Sequence, residues 1–487
     1  MKSHKELSSA VIYIATNFFQ KGSAFLLIPI YTSFLNAESY GIVGLVLSVS
    51  AILSVFYTLS MDAVTTRFYF KKVKESDYYI RCFGTLNSMI IALGFMATII
   101  VVIIGPIIFT SFIPDLAVFP YLLLAIIISS SAPMFNIYVR LLRAQHLGKM
   151  FAIVSLSKFG IQAIFTIVFL SIFQLKEVGL LLATALTGVI YLILSLYMLI
   201  REYGIVWDYK YAKKIFLYSI PLVPNRFGAL SVVPVQTFLI GFFHDISQVG
   251  FFHLGALIGS AVNVLAQSIY DAYLPWAYEH LEMSDKFNQK KLIKVTRSLI
   301  IFLSVAALIL SLMSKEIFQV FVFGDLQQAW IVFPFFAFFA VVNFIKNIWL
   351  MPLMYKDEGT KYVQWSTYTN LILNLILGYI LILQYGILGA AISILFSRLL
   401  SSMVMMYFSL RLLDLGLTFK NIYLIPFLCF LVANVGFTPY FESFLSRLIL
   451  SLCIVIGSAM IIRKEIMYFY KSYKSARAIA PPKINTQ

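Results

Sequence analysis

The stretch Asn17–Ile30 reads NFFQKGSAFLLIPI and places Lys21 in the middle of a long apolar run. An ammonium group in the hydrocarbon of a membrane costs roughly 3 kcal/mol or more, so it is normally turned toward a polar cavity, a partner or an anionic ligand. The second half of the chain repeats this setting around Arg226. The stretch therefore predicts a membrane protein whose interior carries functional positive charge.

The composition fits this prediction. Of the 487 residues, 61% are hydrophobic and 12% are charged, whereas a soluble domain carries about 25% charged residues. Apolar blocks long enough to cross a bilayer as helices recur along the chain, and we predict an all-α polytopic fold with about 14 transmembrane helices. Their boundaries are 9–35, 39–60, 79–104, 116–142, 150–173, 177–200, 214–241, 250–277, 293–313, 328–354, 361–383, 386–411, 421–438 and 443–468.

Lys and Arg are concentrated in alternate loops. The segments assigned to the outer side hold only Lys176, Lys315 and Arg447. Because positively charged short loops stay on the cytoplasmic side, we predict that both termini are cytoplasmic. The net charge of +16 is spread over these inner loops and is explained by attraction to anionic membrane lipids, so we expect no nucleic-acid partner.

Three features of the chain recur in register. Each copy has an amide next to a cation, a proline eight residues after the cation, and a glycine followed at a fixed distance by an Asp-Ala pair. The features are Gln20-Lys21, Pro29, Gly41 and Asp62-Ala63 in the first copy and Asn225-Arg226, Pro234, Gly250 and Asp271-Ala272 in the second. They predict an internal repeat.

The repeat predicts the domain organisation. An even number of spans separates the copies, so both enter the membrane in the same direction, as in transporters with parallel repeats and a substrate site between them. We predict an N-terminal six-helix bundle over 1–200 and a C-terminal six-helix bundle over 201–412. Two extra transmembrane helices over 413–470 and a disordered cytoplasmic tail over 471–487 would follow.

Cations inside the predicted spans are the candidate site residues. They are Lys21, Lys158, Arg226, Lys346 and Arg398. Lys158 and Lys346 lie near cytoplasmic ends, where snorkelling to the headgroups is an equal alternative. The other three lie near mid-span, too far from either end for easy snorkelling, and we expect them to face a cavity.

Few acids are available to neutralise these cations. Asp62 and Asp271 alone lie near a span interior. A buried ion pair with one of them is the competing role for a mid-span cation. Both acids are also candidates for ion coupling, with helix capping or loop pairing as the alternative.

Polar amides accompany the cations. They are Asn17, Gln20, Asn225, Asn263, Gln267, Asn343, Asn347, Asn370 and Asn374. Unneutralised cations in a water-filled cavity suit an anion, and phosphate matches both the arginine fork and the lysine point charge. The amides would contact sugar hydroxyls or, alternatively, form hydrogen bonds between helices.

Other chemistries lack their sequence signals. The chain has no G-x-x-x-x-G-K-[ST] phosphate loop, its five histidines are scattered, and its three cysteines are far apart. We expect no cofactor, no metal and no catalytic residue. A membrane-embedded polymerase or ligase would need a sizeable outer loop, and the outer loops here are short.

Three stretches resemble Wzx-type polysaccharide flippases of the multidrug, oligosaccharidyl-lipid and polysaccharide exporter superfamily. They are MDAVTTRFYF after the second span, YSIPLVPNRFG with FLIGFF and VGFF across spans seven and eight, and NLILNLILGYILILQYGILGAAISILFS across spans eleven and twelve. The last stretch has paired asparagines, Asn370 and Asn374, and the G-x-x-G-A-A turn that begins at Gly386. Such proteins often have Asp where this chain has Gln236, which puts in doubt a coupling role at that position.

The resemblance implies a V-shaped exporter fold in the bacterial cytoplasmic (inner) membrane. It implies transport of an undecaprenyl-pyrophosphate-linked oligosaccharide to the outer leaflet, for O-antigen or capsule synthesis, by alternating access of two bundles around a cationic lumen. Polysaccharide polymerase machinery would be a partner. Since these proteins often stop at twelve spans, a lipid II flippase stays a near alternative.

A drug exporter of the same fold is a further alternative. Organic cations require acids in the cavity, and mid-span acids are missing from this sequence. The alternative is therefore disfavoured.

Overall fold

The computed structural model describes residues 25–70, 77–113, 116–282, 286–355, 359–413 and 415–435, together with residues 12, 13, 15, 16, 19, 443, 445–451 and 454. The described residues form helices and no strand. The predicted all-α class is therefore confirmed for this part of the chain.

Helices α1 to α7 belong to the first half. This half comprises residues 1–200 and the last three residues of α7, which ends at Tyr203. They are α1 (Ile28–Phe34), α2 (Ala37–Thr58), α3 (Asp62–Tyr69), α4 (Tyr78–Phe112), α5 (Val118–Ala144), α6 (Gly148–Ile167, continued by a π-helical turn to Ile172) and α7 (Lys176–Tyr203).

The second half continues from α8. Its helices are α8 (Tyr209–Ser219), α9 (Val223–Leu230), α10 (Val232–Phe243), α11 (Ile246–Glu282), α12 (Lys286–Leu312), α13 (Ser314–Phe321), α14 (Phe333–Tyr355) and α15 (Thr360–Leu412), and α16 (Phe419–Val435) follows them.

The number of membrane spans is bounded by helix length. Among the described residues, nine helices are long and apolar enough to cross a membrane, or ten if one bent pair counts as a span. Helix α15 has 53 residues, about twice the length that one crossing needs. Its backbone breaks at Gly386, with φ 54° and ψ −130°, so it contains both predicted spans 361–383 and 386–411. The total of fourteen stays a prediction, because part of the first predicted span and most of the last lie outside the described residues.

The predicted seventh span, 214–241, is broken. Helices α8 and α9 together meet α10 at 53°. Pro234 stands in the first turn of α10 and has no N–H to donate to the carbonyl of Leu230, which ends the preceding helix at this point. The proline of the repeat therefore bends the span that carries Arg226.

The two halves meet along α2 and α11, which pack against each other. A Cβ on Gly41 would overlap the carbonyl oxygen of Ile246, and a Cβ on Gly250 would overlap that of Ala37. Small residues allow helix backbones in membranes to approach this closely. We call this contact of Ala37, Gly41, Ile246 and Gly250 the glycine seam.

The glycine seam has the symmetry that the predicted repeat requires. Gly41 and Gly250 are the glycines of the two copies, and each lies against the residue four positions before its counterpart. Two equivalent surfaces that contact each other reciprocally are characteristic of a two-fold arrangement. The contact matches what the predicted repeat requires, and the repeat itself stays a prediction.

Alanine in the glycine seam is expected to destabilise the protein. Gly41→Ala and Gly250→Ala should each lower the free energy of unfolding by about 1–3 kcal/mol, because the added methyl group overpacks the helix contact. Thermal unfolding of the purified protein in detergent measures this. Gly94→Ala is the matched control, since a Cβ there has no neighbour within 4 Å. Equal stability of all three variants would contradict the close helix contact at the glycine seam.

Candidate functional site

Asp62 is the first residue of α3 and follows a sharp break in the chain. Leu59 and Ser60 end α2 in the left-handed region, with φ 42° and 59°, a conformation that costs non-glycine residues about 1–2 kcal/mol each. The side chain of Asp62 is 1% exposed. A buried carboxylate of this kind requires positive partners.

Two arginines supply this positive charge. Arg140 Nη2 lies 3.0 Å from Asp62 Oδ2, and Arg226 Nη1 donates to Asp62 Oδ1. Arg140 comes from α5 in the first half, whereas Arg226 comes from α9 in the second. These three residues, called the Asp62 cluster, therefore join the halves at the end of α2 opposite the glycine seam.

The neighbours of Arg226 fix its position. Asn225 Oδ1 accepts a hydrogen bond of 2.7 Å from Thr367 Oγ1 on α15, and the ring of Phe227 meets that of Phe56 on α2 edge to face. Arg226 Nε is buried and has no hydrogen-bond partner among the described residues. The sequence left open a cavity role or an ion pair for Arg226, and in this conformation it forms the ion pair.

Amides connect α11 and α14 in the second half. Asn343 Nδ2 donates to Asn263 Oδ1 at 3.1 Å, and Asn347 Nδ2 donates to Gln267 Oε1 at 3.2 Å. Gln267 Nε2 also donates to the exposed Asp271, at 2.7 Å. Hydrogen bonding between helices, one of the two roles left open by the sequence, is thus present for these amides.

Two cations lie beside these amides. Lys346 shares one face of α14 with Phe339, Asn343 and Asn347, because spacings of three and four residues repeat on a helix. The guanidinium of Arg398 lies 4.9 Å from the ring centre of Phe339, and its charge repels that of Lys346. The second-half cationic face comprises Asn263, Gln267, Asn343, Lys346, Asn347 and Arg398.

The two cations of this face are not neutralised within the described part of the chain. Arg398 is only 9% exposed, and its Nε has no hydrogen-bond partner. No ion pair is formed by either Arg398 or Lys346 with a described carboxylate. Because buried charge is costly without a partner, this face is suited to receive an anion.

The paired asparagines lie elsewhere, against α10. Gln236 Nε2 donates to the backbone oxygen of Asn374 at 2.8 Å and to its Oδ1 at 3.0 Å. Gln236 and Asn374 are fully buried, and Asn370 is 2% exposed. The side chain at position 236 is thus an amide that forms a hydrogen bond between helices.

Some predicted site residues lie apart from these clusters. Lys158 Nζ lies 3.8 Å from the ring centre of Phe135, within the first half. Asn17, Gln20 and Lys21 fall outside the described residues. Their predicted roles remain predictions.

Sequence reasoning missed Arg140. Its position near the end of a predicted span assigned it to a cytoplasmic loop, where a cation needs no special partner. The available signal was Asp62, an acid near a span interior, but a whole span separates α3 from α5 in the sequence. Only their packing brings the two side chains together.

A family model described as polysaccharide biosynthesis protein matches residues 7–281, more than half of the chain. The chain belongs to the polysaccharide biosynthesis protein family. The family match includes the whole Asp62 cluster and the glycine seam. No curated protein matches the sequence.

Solved structures similar to this polysaccharide biosynthesis protein are membrane transporters. A lipid II flippase, MurJ, in an inward closed conformation has a TM-score of 0.67 at 14% identity, covering 94% of this chain and 100% of that chain. An inward-facing multidrug resistance MATE family transporter of the MOP superfamily has a TM-score of 0.63 at 15% identity. The match covers 82% of this chain and 95% of that chain. These similarities confirm the exporter fold expected from the sequence and a multi-pass membrane protein.

Removing charge from the second-half cationic face is expected to stabilise this family member. Lys346→Met keeps the length of the side chain but removes a half-buried charge close to that of Arg398, so the free energy of unfolding should rise by on the order of 1–3 kcal/mol. Chemical or thermal unfolding in detergent measures the change. Lys290→Met, at an exposed position, is the control and should be neutral. A loss of stability in Lys346→Met would show that Lys346 is neutralised.

Proposed function

We propose that this protein is a flippase for an undecaprenyl-pyrophosphate-linked oligosaccharide. It would carry this lipid from the cytoplasmic to the outer leaflet of the bacterial inner membrane by alternating access of its two halves, for O-antigen or capsule synthesis. Both termini would be cytoplasmic. Membrane lipids and polysaccharide polymerase machinery would be its partners, and no covalent chemistry would take place on the protein.

One observation carries this proposal: in the Asp62 cluster and the second-half cationic face, cations outnumber the described carboxylates that form ion pairs with them. Arg140 and Arg226 share the single carboxylate of Asp62, and neither Arg398 nor Lys346 forms an ion pair with a carboxylate that the structure describes. A diphosphate supplies the missing negative charge, and attraction between opposite charges is strong where water is excluded. Lys21, the repeat counterpart of Arg226, would add to this positive charge.

The amides support the glycan part of the proposal. Asn263, Gln267, Asn343 and Asn347 lie beside the two unneutralised cations, and amides donate and accept hydrogen bonds. When the halves rearrange, sugar hydroxyls could take the place of the bonds that these amides form with each other. Asn225, Asn370 and Asn374 are already bonded or deeply buried, which supports a structural role for them.

A lipid II flippase is the second candidate. The structure of MurJ covers 94% of this chain, and the same lipid diphosphate chemistry would suit the same cations. Export of organic cations is disfavoured, because Asp62, the buried acid nearest the boundary between the halves, is neutralised by two arginines. The similarity to MATE transporters therefore supports the fold and not their substrates.

Loss of a single cation is expected to reduce export strongly. In a bacterial strain without its own polysaccharide flippase, wild-type protein should restore surface polymer, whereas Lys21→Ala, Arg226→Ala and Arg398→Ala should reduce it at least about tenfold, since each removes charge that the diphosphate requires. Immunoblots of the polymer and of the membrane protein measure export and expression.

Lys361→Ala is the matched control, because Lys361 is an exposed lysine, and it should export normally. Normal export by all three cation variants would contradict the proposed role of the cations. Rescue only in a strain lacking its lipid II flippase would favour the second candidate.

A further inference from the structure

The Asp62 cluster has the form of an occupied oxyanion site. Two guanidinium groups each contact one oxygen of the same carboxylate, Arg140 at Oδ2 and Arg226 at Oδ1. Arginine binds carboxylate and phosphate oxygens with the same donor geometry. The carboxylate of Asp62 therefore stands where two oxygens of a phosphate group would fit.

The exposure of the three side chains shows from which side a ligand would arrive. The side chain of Asp62 is 1% exposed, whereas those of Arg226 and Arg140 are 23% and 42% exposed. An approaching anion would meet the arginines first and the carboxylate behind them. Arg226 Nε, buried and without a partner in the described part of the chain, is a further donor for a ligand with more oxygens than a carboxylate.

The net charge of the Asp62 cluster also favours replacement of the Asp62 carboxylate by a phosphate group. Two arginines and one carboxylate leave one positive charge uncompensated. A diphosphate would neutralise both arginines, so it has the electrostatic advantage over Asp62 that a replacement requires.

We propose that Arg140 and Arg226 bind a phosphate of the transported lipid, that Asp62 occupies this site as an internal anion in the present conformation, and that the arriving phosphate displaces it. This inference rests on the proposed function. Because Arg226 belongs to the second half and Asp62 to the first, displacement breaks the ion pair between the halves at this end of α2. The glycine seam at the other end is untouched, so ligand binding would free one end of the boundary selectively.

The affinity of purified protein for inorganic pyrophosphate tests the exchange. Asp62→Asn removes the internal competitor, so isothermal titration calorimetry should show binding at least about tenfold tighter than in the wild type, because the competent site is no longer occupied. The double variant Asp62→Asn, Arg226→Gln should not show this increase in pyrophosphate affinity. Asp245→Asn, which removes an exposed acid, is the charge-matched control and should bind as the wild type does.

Equal or weaker pyrophosphate binding by Asp62→Asn would overturn the proposal. A second measurement avoids this substitution, in case the variant folds poorly. Phe56 and Phe227 lie on opposite halves beside the cluster, with ring centres 6.5 Å apart. Cysteines at these two positions, in a chain whose native Cys82, Cys429 and Cys453 are replaced by alanine, should cross-link more slowly when pyrophosphate is added. An unchanged cross-linking rate would contradict displacement.

The two proposals fail in different ways. If the wild type restores export but Asp62→Asn gains no affinity, the exchange is wrong and the flippase proposal stands. If Asp62→Asn gains affinity but the wild type restores no polymer in any flippase-deficient strain, the oxyanion site stands and its assignment to lipid transport is wrong.

Discussion

The buried carboxylate of Asp62 is the constraint on which the boundary between the halves depends. A charge with 1% exposure has to be paired, and its partners come from both halves of the chain. Breaking such a pair by removing one partner is typically costly, on the order of 3–5 kcal/mol, because it strands the remaining charge. In the exchange proposed above, an anionic ligand would replace Asp62 without leaving the arginines stranded, and the displaced carboxylate would have to be hydrated or protonated.

The two ends of α2 are held to the second half by different kinds of interaction. At the glycine seam, Gly41 and Gly250 allow close backbone contact, which depends on shape and responds to no ligand. At the other end, the Asp62 cluster depends on charge. Between the halves, packing therefore holds one end and electrostatics the other. Such an asymmetry would suit the alternating access proposed for this protein.

Much of this fold was predictable because membrane spans follow local rules. Most predicted boundaries lie within a few residues of the described helix ends, although α4 extends to Phe112 and α12 begins at Lys286. The repeat glycines lie in contact, and Gly386 turns the chain between two spans. The site was less predictable. The pairing of Asp62 with Arg140, and the repulsion between Lys346 and Arg398, arise from packing of helices that are distant in sequence. The break before Pro234 was also missed, since an apolar pattern continues across it. One-dimensional patterns indicate where charge is buried but not which charges meet.

The most direct measurement is lipid translocation by purified protein in liposomes. Two fluorescent lipids with the same oligosaccharide would be compared, one with a diphosphate linkage and one with a neutral linkage of equal length. If buried cations drive recognition, the diphosphate lipid should cross at least about tenfold faster in the wild type, and this preference should disappear in Arg398→Gln. Equal rates for both lipids in the wild type would contradict a transport site based on uncompensated positive charge.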